Sequence, residues 1–359
     1  MWGEMRIFAD KMSSKIKYTR QKHCFVALYV SDGEWIVARG YRLYRYNPET
    51  DKLAYFSRLA DTKNALLARF RLTRRLFRAE ITHLYHLQSG GWICIARKAL
   101  FKYNCTSGLF EKCHDIEKGS RPMNLCQAVD GTIYYGEYCY NPQRRPMRIM
   151  QSKDEGQTWQ VAYTFGEGEI NHIHGIFSDP FSPGRLWVAT GDDDQACIFG
   201  YTEDGFETLV RQYQGSQQYR VCVPLFTEKE IIFATDSQYE QNYICSIDRQ
   251  SGKVSKLQAI QGSGIYAAKN GELMMISTTV EPSTVNLDQQ SHFWYSTDGH
   301  QWHELTAYKK DRFPCTYFQF GSIRFPHYER ESTYAVFTGR ALKGLDQQTM
   351  IIPTQGISE

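Results

Sequence analysis

Apolar positions along the chain fall in short runs, each entered from a tight polar turn. Ser31-Asp32-Gly33-Glu34 leads into Trp35-Ile36-Val37-Ala38, and Ser89-Gly90-Gly91 leads into Trp92-Ile93-Cys94-Ile95. The same pattern returns at Asp130-Gly131, Ser182-Pro183-Gly184, Glu228-Lys229-Glu230 and Asn270-Gly271-Glu272. Each reads as a hairpin turn opening a buried strand. A second turn series falls between them, at residues 47–51, 104–108, 152–156, 202–205, 248–252 and 296–299. Two alternating series with a period of roughly 40–45 residues imply four strands per unit, the signature of a β-propeller. Six units are clear, and residues 318–353 supply about three strands of a seventh. The expectation is an all-β propeller of four-stranded antiparallel blades, seven or else six in number. Residues 2–8 would provide the strand that closes the ring and removes exposed edges. The whole chain, 1–359, reads as one domain.

One segment breaks the period. Residues 61–80 show no strand alternation and read as a helix inserted between units one and two. On a helical wheel Leu66, Phe70, Leu72, Leu76 and Phe77 share one side, and Lys63, Arg71, Arg74, Arg75 and Arg78 share the other. The plain expectation is an apolar face packed on the propeller and a solvated basic face. The alternative is attachment of the basic helix to an anionic membrane surface.

Composition narrows the class. Hydrophobic residues make up 42% of the 359, enough for a large core, and aromatics reach 14%, which favours strands. Lys+Arg total 42 against 39 Asp+Glu, too even a balance for a dedicated nucleic-acid binder. No apolar run reaches the about 18 residues of a membrane span. The first residues lack a signal-peptide apolar core, and the ten cysteines form no CxxC pair. These features point to reduced thiols and a cytoplasmic protein, peripheral to the inner membrane face if the inserted helix binds lipid.

Ser152-Lys153-Asp154-Glu155-Gly156-Gln157-Thr158-Trp159 fits Ser/Thr-x-Asp-x-Gly-x-Thr-Trp. It resembles the Asp-box, or BNR repeat, of sialidase-like propellers. Residues 296–302 look like a shorter copy, and residues 202–208 like one without the Trp. These turns are structural: the Asp binds local amides and the Trp packs between strands. Asp154, Asp204 and Asp298 therefore have no expected catalytic role. The resemblance implies that they lie opposite the working face, which would carry the loops after each second strand and those entering each first strand.

Aligned on that face, the second-strand ends give Arg39, Arg97, Glu137, Asp192, Asp236, Glu281 and Arg340. Units seven, one and two adjoin in a closed ring, so Arg39, Arg97 and Arg340 should cluster opposite the four carboxylates. Arginine suits bidentate recognition of carboxylates, and sialidase-like enzymes hold a sugar carboxylate in this way. The first-strand entries add Arg121, His172, His174 and Arg220. His172 and His174 share one side of their strand. With Asp192 and Asp236 they admit a divalent metal, although no cofactor is required. The Arg-Ile-Pro element of sialidases is absent.

The expected function is a carbohydrate-active propeller that binds an acidic sugar and cleaves it. In hydrolysis two of Glu137, Asp192, Asp236 and Glu281 would act as acid and as base or nucleophile. In elimination His172 would abstract the proton beside an arginine-neutralised carboxylate. The contrasting expectation is a non-catalytic glycan- or protein-binding propeller.

Overall fold

In the computed structural model, residues 19–20, 25–61, 64–119 and 121–357 are described. Each predicted turn of the first series joins an inner strand to a second strand. The pairs are Val26–Ser31 with Glu34–Arg39, Ile81–His86 with Trp92–Ala96, and Cys126–Gln127 with Ile133–Gly136. His172–Ser178 pairs with Leu186–Gly191, Leu225–Phe226 with Glu230–Ala234, and Ser263–Asn270 with Leu273–Val280. Gly321–Arg324 pairs with Tyr334–Arg340 in the same way. The second turn series joins the third and fourth strands, as between Met147–Ser152 and Gln160–Phe165. The architecture is all-β and propeller-like, with few helices.

Among the described residues, five sheets stand apart. Four have four strands, and the fifth adds His327–Tyr328 parallel to Val26–Ser31. The remaining strands form one sheet of eight. This corrects the expectation of seven separate blades. The ladder between Leu273–Val280 and Gln290–Ser296 ends at Ser277–Phe293. Thr279 and Val280 run past it, and their open edge pairs with Ser322 and Gly321. Thr19–Arg20 adds an outermost strand against Ile351 and Met350. The strand expected at residues 2–8 lies outside the described residues.

Apolar clusters fill the spaces between successive sheets. Phe110, Phe165, Phe199, Phe233, Phe293 and Phe337 are all fully buried. Val336 and Ile351 near the C-terminus pack with Phe25, Val30 and Val37, so the two ends of the repeat are joined by core as well as by hydrogen bonds. The nine cysteines among the described residues are free thiols.

The inserted segment is not one helix and does not face the expected way. It forms α1 (Ala65–Arg69) and α2 (Arg71–Phe77), separated by Phe70 in extended conformation. Leu66, Phe70, Leu72, Leu76 and Phe77 are exposed, whereas Arg74 and Arg75 are buried. The surface beneath is acidic, which explains the reversal. Arg75 Nη1 lies 2.6 Å from Asp311 Oδ2 and 3.6 Å from Asp346 Oδ2, and Arg71 reaches Asp346 at 2.8 Å. The Arg75 guanidinium also stacks over Phe313 and Phe318. Lys63, placed on the basic face, lies outside the described residues.

The Asp-containing turns are self-contained hydrogen-bond units. Asp154 Oδ1 accepts from Gln157 N and Thr158 N at 3.1 and 2.8 Å, and from Ser152 Oγ at 2.8 Å. Trp159 Nε1 donates to Gly156 O. Asp204 and Asp298 accept in the same manner, from Thr208 N and from His300 N and Gln301 N. The hydroxyl and amide of Thr158, with further local bonds, hold the Asp154 carboxyl down to about 2. Asp154→Ala should lower unfolding free energy by about 1–3 kcal/mol in urea titration, because four turn donors lose their acceptor. The depressed carboxyl contributes stability above its ordinary 3.8, lost as pH falls through about 2.

Candidate functional site

In an antiparallel four-strand unit, the end of the second strand and the start of the first lie at one end, and the third-to-fourth turn lies at the other. The predicted site residues therefore share an end of the propeller, opposite Asp154, Asp204 and Asp298. Two groups assemble there.

Arg220 organises the first. It approaches Asp192 Oδ1 at 2.7 Å and Asp236 Oδ2 at 3.4 Å, and it also donates to the Asp192 carbonyl. His172 Nε2 lies 3.3 Å from Asp192 Oδ1 and 3.1 Å from His174 Nε2. His174 Nδ1 faces the Val221 carbonyl at 2.8 Å. Cys222 Sγ lies 3.4 Å from Asp236 Oδ2. His174 needs Gly191 beside it, because a Cβ there would stand 2.6 Å from its ring. Three buried polar atoms have no partner among the described residues: His172 Nδ1, Asp236 Oδ1 and Arg220 Nε.

Burial works against ionisation of Asp192, but the His172 hydrogen bond and the charges of His172 and Arg220 outweigh it, holding the carboxyl well below its usual range. Glu281 responds oppositely. Burial, then the nearby Asp236 charge, push it up to about 7, with Arg220 opposing. Burial, then the His172 charge, push His174 down to about 4. One carboxyl is thus fixed as an anion while another takes up a proton near neutrality.

Either His172, His174 and Asp192 or His174, Cys222 and Asp236 bring three donor atoms within 4.8 Å of one another. These carboxylates already engage Arg220, and the imidazoles face each other. The arrangement is organised around a guanidinium.

The second group is cationic. Arg340 is buried, and its Nη1 donates to both oxygens of buried Glu80. Burial, then the charges of Arg340 and Arg39, push Arg74 down, with Glu80 opposing. Burial, then Arg121 and Arg340, act in the same direction on Arg78. Burial pushes Arg324 down to about 10, with Arg340 and Arg121 adding to it against Tyr266. His83 falls to about 3 through burial and the charges of Arg121 and Arg324. Arg74 Nε is buried without a partner among the described residues. Arg39, Arg78, Arg121 and Arg324 likewise have no carboxylate within ion-pair distance among the described residues. Tyr138 links the two groups. Its ring lies 4.4 Å from His172, and Arg78 of the cationic group is near its phenol.

The structure brings together His172, His174, Asp192, Arg220, Asp236 and Glu281. Arg39, Arg121 and Arg340 meet on the cationic side. Arg97 is turned to Asn64 at the start of the insertion. Glu137 departs from the expected role: it is buried and saturated by Arg148, which donates from Nε at 2.9 Å, Nη2 at 2.6 Å and its backbone N at 2.9 Å. Its place is in blade packing. Sequence reasoning missed Arg74, Arg78, Glu80, Tyr138, Cys222 and Arg324. The signal available for the first three was the position of the insertion, which leaves and re-enters the repeat at the working end.

No family model and no curated protein matches this chain. Its fold is similar to that of an oligogalacturonate lyase from Vibrio parahaemolyticus, with TM-score 0.64 and 10% identity, covering 95% of this chain and 94% of that one. A GH74 enzyme from Niastella koreensis has TM-score 0.53 and 11% identity, covering 80% of this chain and 46% of that one. A chain of the mitotic checkpoint complex has TM-score 0.53 and 8% identity, covering 96% and 93%. At these identities the likeness is one of fold.

Proposed function

We propose that this is a carbohydrate-active propeller, of Asp-box type, that binds an acidic glycan at the working end and cleaves it. The observation that carries the proposal is the cluster in which Arg220 reaches Asp192 and Asp236 beside His172, set beside an arginine-rich mouth. Two of the neighbours, the oligogalacturonate lyase and the GH74 enzyme, support a sugar ligand.

The arginines outnumber their carboxylate partners, so the mouth attracts anions and can hold a sugar carboxylate through bidentate guanidinium contacts. Glu281 gives its proton to the departing glycosidic oxygen. In hydrolysis an ionised carboxylate of the Arg220 group faces the sugar from the other side. In elimination His172 takes the proton next to the arginine-held carboxylate.

The test is incubation with sialylated, ulosonic and uronic glycans, following reducing ends and the absorbance of unsaturated products. Reducing ends alone mean hydrolysis, and both signals mean elimination. Binding without turnover would favour a glycan-binding module, a reading supported by the internal pairing of Arg220 and Arg340. If no acidic glycan binds, the proposal fails. Arg121→Ala should weaken binding about tenfold, the scale of one charged hydrogen bond, with an unchanged unfolding midpoint. Calorimetric titration with the best glycan measures it.

A further inference from the structure

We propose that the outward face of α1 and α2 is a docking surface for an anionic membrane. Leu66 is 66% exposed, Phe70 and Leu72 are 55%, Phe77 is 46% and Leu76 is 42%. Tyr317 and Phe320, at 66% and 42%, are exposed beside α2, since Gln319 between them donates to the Arg75 carbonyl at 3.0 Å. A concentration of large exposed apolar side chains on one short segment marks an interaction site.

The outward orientation is imposed by the fold. Arg75 is anchored below by Asp311, Asp346 and the Phe313 and Phe318 rings, so α2 cannot roll its apolar side inward without stripping that buried guanidinium of its partners. Ala68 on the inner side packs so closely on Gly40 that a Cβ on the glycine would meet the Ala68 carbonyl oxygen at 2.4 Å. The apolar side chains are therefore held away from the protein.

Charge selects the occupant. Residues 65–79 contain five arginines and no carboxylate. Arg69 is exposed among the apolar side chains, and Arg312 is exposed on the neighbouring segment, whereas Arg71 is exposed but already paired with Asp346 and Arg78 belongs to the cationic side of the sugar site. A second copy placed across a two-fold axis would set these arginines against themselves. An anionic lipid surface accepts both parts, with headgroups taking the guanidinium groups and the acyl boundary taking Leu and Phe. The helices have five and seven residues, so this is a surface attachment and not a span. The arrangement reverses the one expected from the helical wheel: apolar side chains lead and buried arginines anchor.

The test uses the full chain with sedimenting vesicles of phosphatidylcholine alone or mixed with phosphatidylglycerol. Binding to the mixed vesicles should exceed binding to phosphatidylcholine about tenfold at low salt and fall away near about 0.5 M salt, where screening shortens to a few ångströms. The double variant Leu72→Asp with Phe77→Asp should abolish it with the unfolding midpoint unchanged, since both side chains are exposed. Glycan binding by this variant should persist, which separates the docking surface from the sugar site. Equal binding to both vesicles, no binding to either, or undiminished binding by the double variant would overturn the proposal. So would a wild-type dimer that the double variant dissolves, because the face would then belong to a second copy.

Discussion

Arg340→Ala should destabilise the protein by about 3–5 kcal/mol, the cost of stranding one member of a buried ion pair. Arg340 and Glu80 are 2% and 4% exposed, and the guanidinium holds both carboxylate oxygens. Truncation leaves Glu80 buried under the end of the insertion, with a water-filled gap where the guanidinium was. The Arg74 charge, which also interacts with Glu80, softens the loss and places the effect toward the lower end. Removing both charges is a different experiment. Glu80→Leu with Arg340→Met leaves no unpaired charge and should cost far less than the single change. Urea denaturation of the two variants measures the difference. Equal losses would mean that the pair matters only through its volume. The result bears on function, because the sequence assigns Arg340 to ligand binding. Its burial instead gives it a part in holding the insertion over the working end.

The legible part of this fold is periodic, and the illegible part depends on partners distant in sequence. Turn chemistry at Asp154, Asp204 and Asp298 is local, with donors within four residues, so it is read directly from the sequence. The strand alternation it punctuates then dictates which residues share an end. That is why the repeat alone gathers His172, Asp192, Arg220, Asp236 and Glu281, which are spread over three units. What failed was every inference that needed the far side of a contact. Glu137 looks like any other second-strand carboxylate until Arg148 saturates it. The helical wheel of the insertion assumes an apolar surface beneath, and here that surface carries Asp311 and Asp346, so Arg75 turns inward. The eight-stranded sheet depends on two residues, Thr279 and Val280, outrunning their ladder. Neither residue type announces that.

Glu281→Gln should lower turnover by about 10²–10⁴, the range for loss of a positioned general acid, while leaving glycan affinity close to wild type. The wild-type rate should fall as pH rises through about 7, where the carboxyl gives up its proton, and the variant should lose that limb. Stability provides a second, independent reading. The folded carboxyl titrates above its ordinary 4.5, so its contribution is fully present below that value and is lost as pH rises through about 7. The amide of the variant carries no such charge at any pH. Above neutral pH, Glu281→Gln should therefore be more stable than wild type, although it is less active. The stability gain reports the raised pKa of the buried carboxyl, and the loss of turnover reports its role in the reaction. A Glu281→Gln protein with full turnover, or one less stable than wild type at alkaline pH, would remove Glu281 from the proposed acid role. The burial of a carboxyl beside Asp236 is tolerated in the folded chain at the expense of stability near neutrality, and under the proposed function proton donation to a bound glycan would be the compensating gain.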